Sequence, residues 1–112
     1  MPKIHVDVLI YKEGGLRVAH ALQLDLVGTG GTEKEALADL GAACEAQISH
    51  AVETGNLPFL FKPAPLDVWR RFHKAQGKSR VKRWSAAKAR GARTRARKGK
   101  FFFTPEFLAV SA

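Results

Sequence analysis

Residues 78–100 carry eleven lysines and arginines and not one acid. No other feature restricts the folding of this chain so strongly. Like charges at this density repel when packed, and Val81 and Trp84 are the only large apolar residues there from which to build a core. A compact body is therefore expected from residues 1–77, where eight basic residues face nine acids. Glu106 is the only charge after Lys100, so the excess behind the formal net charge of +9 lies in the basic stretch. The expected organisation is a near-neutral domain at 1–77 and an arginine/lysine-rich tail at 78–112 with an apolar C-terminal end. A chain of 112 residues leaves no room for a second ordinary domain.

Periodicity predicts the elements of the body. Ile4, Val6, Val8 and Ile10 alternate with His5, Asp7, Leu9 and Tyr11, which reads as a strand with one face on a core. Glu13-Gly14-Gly15 supplies a turn, and Leu16, Val18, His20 and Leu22 alternate as the return strand of a hairpin. A short third strand is expected at Leu26 to Thr29, ending at Gly30-Gly31. Thr32-Glu33-Lys34-Glu35 is a capping box: the threonine oxygen accepts from the Glu35 N–H, and the Glu35 side chain reaches back to the cap. Leu37, Leu40, Cys44, Ile48 and Val52 then form one apolar stripe on a helix over about 33–54, with Gly55 as its left-handed stop. Leu57-Pro58-Phe59-Leu60-Phe61 reads as a short edge strand. Pro65 opens a second, short helix carrying Leu66, Val68, Trp69 and Phe72 and ending near Gly77.

The predicted fold class is α+β: a three- to four-stranded antiparallel sheet with a long helix packed on it, a second short helix, and the basic tail. The tail is expected to stay disordered until a polyanion screens its charge. Phe101-Phe102-Phe103 and Phe107-Leu108 either return to the domain as an extra strand or pack against another subunit.

Several functional classes are expected to be absent. No run of about 18 apolar residues occurs, so no membrane span is predicted, and the alternating N-terminus does not read as a signal peptide. Cys44 is the only cysteine, which rules out an internal disulfide and fits a reducing, cytoplasmic location. It reads as a small buried helix residue.

The run Val18-Ala19-His20-Ala21-Leu22-Gln23-Leu24-Asp25-Leu26-Val27-Gly28-Thr29-Gly30-Gly31-Thr32, followed by Glu35-Ala36-Leu37, resembles the HicB-like antitoxin family. Gly55-Asn56-Leu57, Leu60-Phe61-Lys62-Pro63-Ala64-Pro65 and Val68-Trp69 are similar to a stand-alone subgroup of it. The resemblance covers about residues 4–72. It implies a partial ribonuclease H-like fold without nuclease activity, and, in antitoxin members, a domain that binds and blocks a small ribonuclease toxin. The C-terminal DNA-binding module such proteins often carry is not expected, because residues 78–112 show no two-helix apolar pattern.

Enzyme chemistry is not predicted. A two-metal nuclease site needs several converging carboxylates, and only Asp7 and Glu45 are superficially placed, since Asp25 falls in a loop and Asp67 begins a helix. His5, His20, His50 and His73 are scattered, and one cysteine builds no zinc site. Gly28-Thr29-Gly30-Gly31 lacks both the phosphate-loop lysine and dinucleotide glycine spacing, so it reads as a strand-to-helix turn. No cofactor is expected.

The basic stretch is where a function is expected. Lys78, Arg80, Lys82, Arg83, Lys88, Arg90, Arg93, Arg95, Arg97, Lys98 and Lys100 can lie along a phosphate backbone and release its counterions, and Trp84 can stack on an unpaired base. Nothing in their spacing reads base edges, so RNA or DNA binding without strong sequence specificity is predicted. The alternative is an antitoxin that neutralises a ribonuclease toxin by protein–protein contact. Homo-oligomerisation is expected from the exposed hairpin edge and the terminal phenylalanines.

Overall fold

The alternating N-terminal run forms β1 (Lys3–Glu13), which turns through Gly14 and Gly15 into β2 (Leu16–Ala21) in a computed structural model that describes residues 3–77, 82–85 and 104–111. The two glycines have φ of 57° and 80°, the backbone that a two-residue turn between right-twisted strands requires. β3 (Leu26–Gly30) pairs antiparallel with β2. Then come α1 (Glu33–Thr54), a 3-10 turn at Leu57–Leu60, α2 (Leu66–Gln76), β4 (Lys82–Ser85) and β5 (Thr104–Ser111). The class is the expected α+β one, with one long helix and one short helix on a sheet.

The sheet is larger than the hairpin pattern suggests. Its order is β3-β2-β1-β5-β4, five strands among the described residues, and β5 runs parallel to β1 from Lys3 opposite Thr104 to Ile10 opposite Ser111. The sheet is therefore mixed, with one parallel pair among antiparallel ones. Of the two fates open to the apolar C-terminal end, Phe107-Leu108 takes the return to the domain as a strand. Phe107 is fully buried, which stabilises the fold by roughly 1.5–3 kcal/mol relative to an exposed ring. β4 lies inside the stretch expected to lack order, because an edge strand needs only a neighbour's backbone groups and no apolar stripe of its own.

Both faces of the sheet are covered. On one face, Val6, Val8, Ile10, Ala19, Ala21, Phe107 and Ala109 pack under the α1 stripe of Leu37, Leu40, Cys44 and Ile48. On the other face, Leu9, Leu22 and Val110 pack under Val68, Phe72 and Ala75, mainly from α2. Leu9, placed by alternation among the solvent-facing residues, is fully buried because α2 supplies a second core. α1 sits close to β3: a Cβ on Gly28 would lie 2.3 Å from the Leu40 backbone nitrogen, so no larger residue fits there.

The expected edge strand at Leu57–Phe61 is instead the 3-10 turn, with the Phe59 N–H donating to the Asn56 carbonyl at 2.9 Å. The edge of β1 that a further strand would need is occupied by β5, and Pro58 has no N–H to give a ladder.

Candidate nucleic-acid interface

The two ends of the sheet differ in chemistry. At one end lie the β1–β2 turn, the exit of β3 and the start of α1. The capping box forms here: the Glu35 N–H donates to Thr32 Oγ1 at 3.1 Å, and Glu35 Oε2 accepts from the Gly31 N–H, one residue before the cap, at 2.9 Å. Asp39 accepts from the Thr29 N–H at 2.9 Å, so the helix supplies a partner to the outer edge of β3. The helix N-terminus is thus committed to its own side chains. The glycine run is a strand-to-helix turn seated against α1, since a Cβ on Gly30 would come within 2.5 Å of Glu35 Cβ.

The opposite end holds the start of β1, the β2–β3 turn and the 3-10 turn. Asp7 is clamped there: its N–H donates to Gln23 Oε1, Gln23 Nε2 donates to Asp7 Oδ2, and His5 Nε2 meets Asp7 Oδ1, each at 2.7 Å. The Leu22 N–H donates to the Asp7 carbonyl at 2.9 Å, which fastens the β2–β3 turn to β1. Within that turn Asp25 has a φ of 50° and its Oδ1 lies 2.7 Å from Nε2 of His20. His20 is buried at 7 % exposure, and its Nδ1 has no hydrogen-bond partner.

The carboxylates considered for metal chemistry do not converge. Asp7 alternates with Val6 and Val8 and so faces the α2 side, whereas Glu45 is carried by α1 on the other side of the sheet. No group of three metal-ligating side chains assembles among the described residues. Burial, aided by Glu45, pushes the Cys44 thiol up to about 12, so it is not a nucleophilic thiolate at neutral pH. Burial first, and Glu13 second, raises the Tyr11 phenol, against the Arg71 guanidinium 4.4 Å over its ring. His73 packs its ring against Trp69 and Phe72.

Of the twelve expected nucleic-acid contacts, Lys82, Arg83 and Trp84 lie on β4, opposite Ala109, Leu108 and Phe107 of β5. Lys78, Arg80, Lys88, Arg90, Arg93, Arg95, Arg97, Lys98 and Lys100 lie outside the described residues. The topology nevertheless fixes where the densest part of the basic stretch is attached. β4 ends at Ser85 opposite Glu106, and β5 begins at Thr104 opposite Lys3. The chain over 86–103 therefore leaves and re-enters the sheet at one end, the end holding His5, Asp7 and Gln23. It is tethered on both sides, in contrast to a tail held on one.

Sequence reasoning missed the Asp7–Gln23 clamp, since a glutamine in a turn carries no periodic signal. It also missed an open groove at this end, lined by Gln47, His50, Ala51, Asn56, Phe59 and Leu60. The only hint of it was a phenylalanine between a proline and a leucine, a pattern that an edge strand fits equally well. No helix among the described residues is long and apolar enough to cross a membrane. No protein-family model, curated protein or solved structure matches the chain.

Proposed function

We propose that this is a non-enzymatic, HicB-like binding protein that holds nucleic acid on its basic segment without reading base sequence. One observation carries the proposal: eleven cations without an acid span 78–100, and the part over 86–103 is tethered to the sheet on both sides. Tethering lowers the entropy lost when the segment lies along a phosphate backbone. The hairpin, third strand and glycine-threonine turn leading into a long helix is the order that the family resemblance implies, and it supports a binding domain of that kind.

Deleting everything after Gly77 does not test this, because it also removes β5 and the buried Phe107. The suitable variant keeps the full chain and replaces Lys88, Arg90, Arg93, Arg95, Arg97, Lys98 and Lys100 with glutamine. Fluorescence anisotropy of labelled oligonucleotides is then followed across a salt series. For the parent, neutralising six to eight phosphates gives a slope of log K against log salt of about −5 to −7. The variant is expected to lose most of that slope and about 10³-fold or more in affinity at low salt. Equal affinities for parent and variant would discard the proposal.

A second reading has one observation in its favour, the near-neutral body of eight basic and nine acidic residues. Such a surface suits protein contact with a small, basic ribonuclease toxin. The same glutamine variant separates the two readings, because an antitoxin acting through the body still neutralises a co-expressed toxin.

A further inference from the structure

We infer that nucleic acid lies across the α2 side of the sheet, with Arg70 and Lys74 as phosphate contacts, and is turned away from the α1 side. The inference rests on the nucleic-acid reading above and adds the surface that holds the strand. Charge in the body is divided between the two helices. α1 carries the five acids Glu33, Glu35, Asp39, Glu45 and Glu53 against the single Lys34, a net charge of −4. α2 carries Arg70, Arg71 and Lys74 against the single Asp67, a net charge of +2. The two helices cover opposite faces of the sheet, so their outer surfaces are of opposite sign.

On α2, Arg70 and Lys74 are the cations left without internal work. Val68, Phe72 and Ala75 turn into the core, and Arg70 and Lys74 stand exposed. All ten acids of the chain lie among the described residues, and neither Arg70 nor Lys74 makes an ion pair or hydrogen bond with any of them. Arg71 is engaged at Tyr11, where its guanidinium lies over the ring and Asp67 and Glu13 act on the same phenol. Residues at i and i+4 are neighbours on a helix surface, about 5–6 Å apart at Cβ, so Arg70 and Lys74 form one cationic pair. Arginine holds a phosphate through two parallel N–H bonds and lysine holds it as a point charge.

A bound strand has two faces of the sheet to choose between, and charge decides. Each helix is about 10–12 Å across with its side chains, so the two outer surfaces lie further apart than the screening length of about 10 Å at 0.1 M salt. A phosphate backbone on either face therefore responds to the charges of that face, attracted by α2 and repelled by α1. The strand acids on the α2 side lie in the sheet layer beneath the helix surface, and Asp7 among them is clamped by Gln23 and His5. The acidic α1 face of a second copy is a weaker match for the same cations. Glu35 and Asp39 are committed to the Gly31 and Thr29 N–H groups, and two chains at +9 each repel.

The test compares two full-length double variants that remove the same charge from opposite sides. Arg70→Gln/Lys74→Gln alters the α2 side. Lys12→Gln/Lys34→Gln alters the α1 side, where Lys34 is exposed on the helix and exposed Lys12 continues the alternation of Val8 and Ile10. The probes are a labelled single-stranded oligothymidylate and a labelled duplex, each titrated across a salt series. Loss of two phosphate contacts is expected to flatten the slope of log K against log salt by about 1.4 to 1.8 and to weaken binding about 10- to 100-fold at 0.1 M salt. The α1-side variant is expected to keep the parent's slope, and Arg70→Lys, which retains the charge, keeps it too. Equal losses in the two double variants, or a parental slope in Arg70→Gln/Lys74→Gln, overturn the inference while leaving the seven-fold glutamine result standing. If light scattering shows that Arg70→Gln/Lys74→Gln only separates a self-associated parent, the α2 side belongs to a second copy and the inference is wrong. If the parent binds neither probe, the underlying nucleic-acid reading fails and takes this inference with it.

Discussion

The end of the sheet where α1 begins and the end where it stops are built from the same strands and do opposite things with their polar groups. At the first, nearly every special residue is used internally. Two glycines take the positive φ of the hairpin turn, Thr32 and Glu35 cap the helix, and Asp39 occupies the edge of β3. At the second, Asp7, Gln23 and Leu22 fasten one turn, and beyond that the molecule presents exposed phenylalanines, an open groove and both attachment points of a cationic segment. The closed end holds the fold and the open end offers a surface, so substitutions should sort accordingly. Closed-end changes are expected to move stability without touching binding, and open-end changes the reverse.

Four substitutions sharpen or break that division. The largest effect belongs to the open end: the seven-fold glutamine variant over 88–100 is expected to lose its affinity while its melting temperature stays within a few degrees of the parent. A large drop in melting temperature would mean that the segment serves the fold. Next comes Phe107→Ala on β5, the strand that joins both ends. A fully buried phenylalanine truncated to alanine costs roughly 3–5 kcal/mol, read as a shift of the urea midpoint. An effect near zero would contradict the placement of β5 inside the sheet.

Gly30→Ala tests the closed end directly. Its added Cβ meets Glu35 Cβ and the Ala36 backbone inside 2.8 Å, and the resulting overpacking costs about 1–3 kcal/mol with oligonucleotide affinity intact. The smallest effect is that of Thr32→Ala, which removes the cap acceptor for the Glu35 N–H and costs about 1 kcal/mol by thermal melting. If either closed-end change weakens oligonucleotide binding, the two ends are coupled and the division is wrong.

Much of the body was legible beforehand, and the legible parts share a cause. The hairpin, its glycine turn, the third strand, the capped helix and its Gly55 stop all rest on interactions between residues near one another in sequence. The misreadings share a cause too. Leu57–Phe61 reads as a strand in the sequence because an apolar run beside a proline fits several short structures, and only the tertiary surroundings decide among them. Alternation puts Leu9 outward because it identifies two faces without saying that both are covered. The groove beside Phe59 had no sequence signature, being formed where α1 meets the turn that follows it.

The chain by itself determined the α+β class, the capped long helix and the concentration of positive charge between residues 78 and 100, since each follows from local periodicity, capping chemistry or a count of charges. Tertiary structure alone decided that the C-terminal strand enters beside β1. With it came the attachment of the basic segment to the sheet on both sides, at the end where β1 begins. The physical reason is separation along the chain. Lys3 pairs with Thr104, and no local preference encodes a ladder between residues so far apart; it forms because β1 has a free edge and the Phe107 ring has a core to fill.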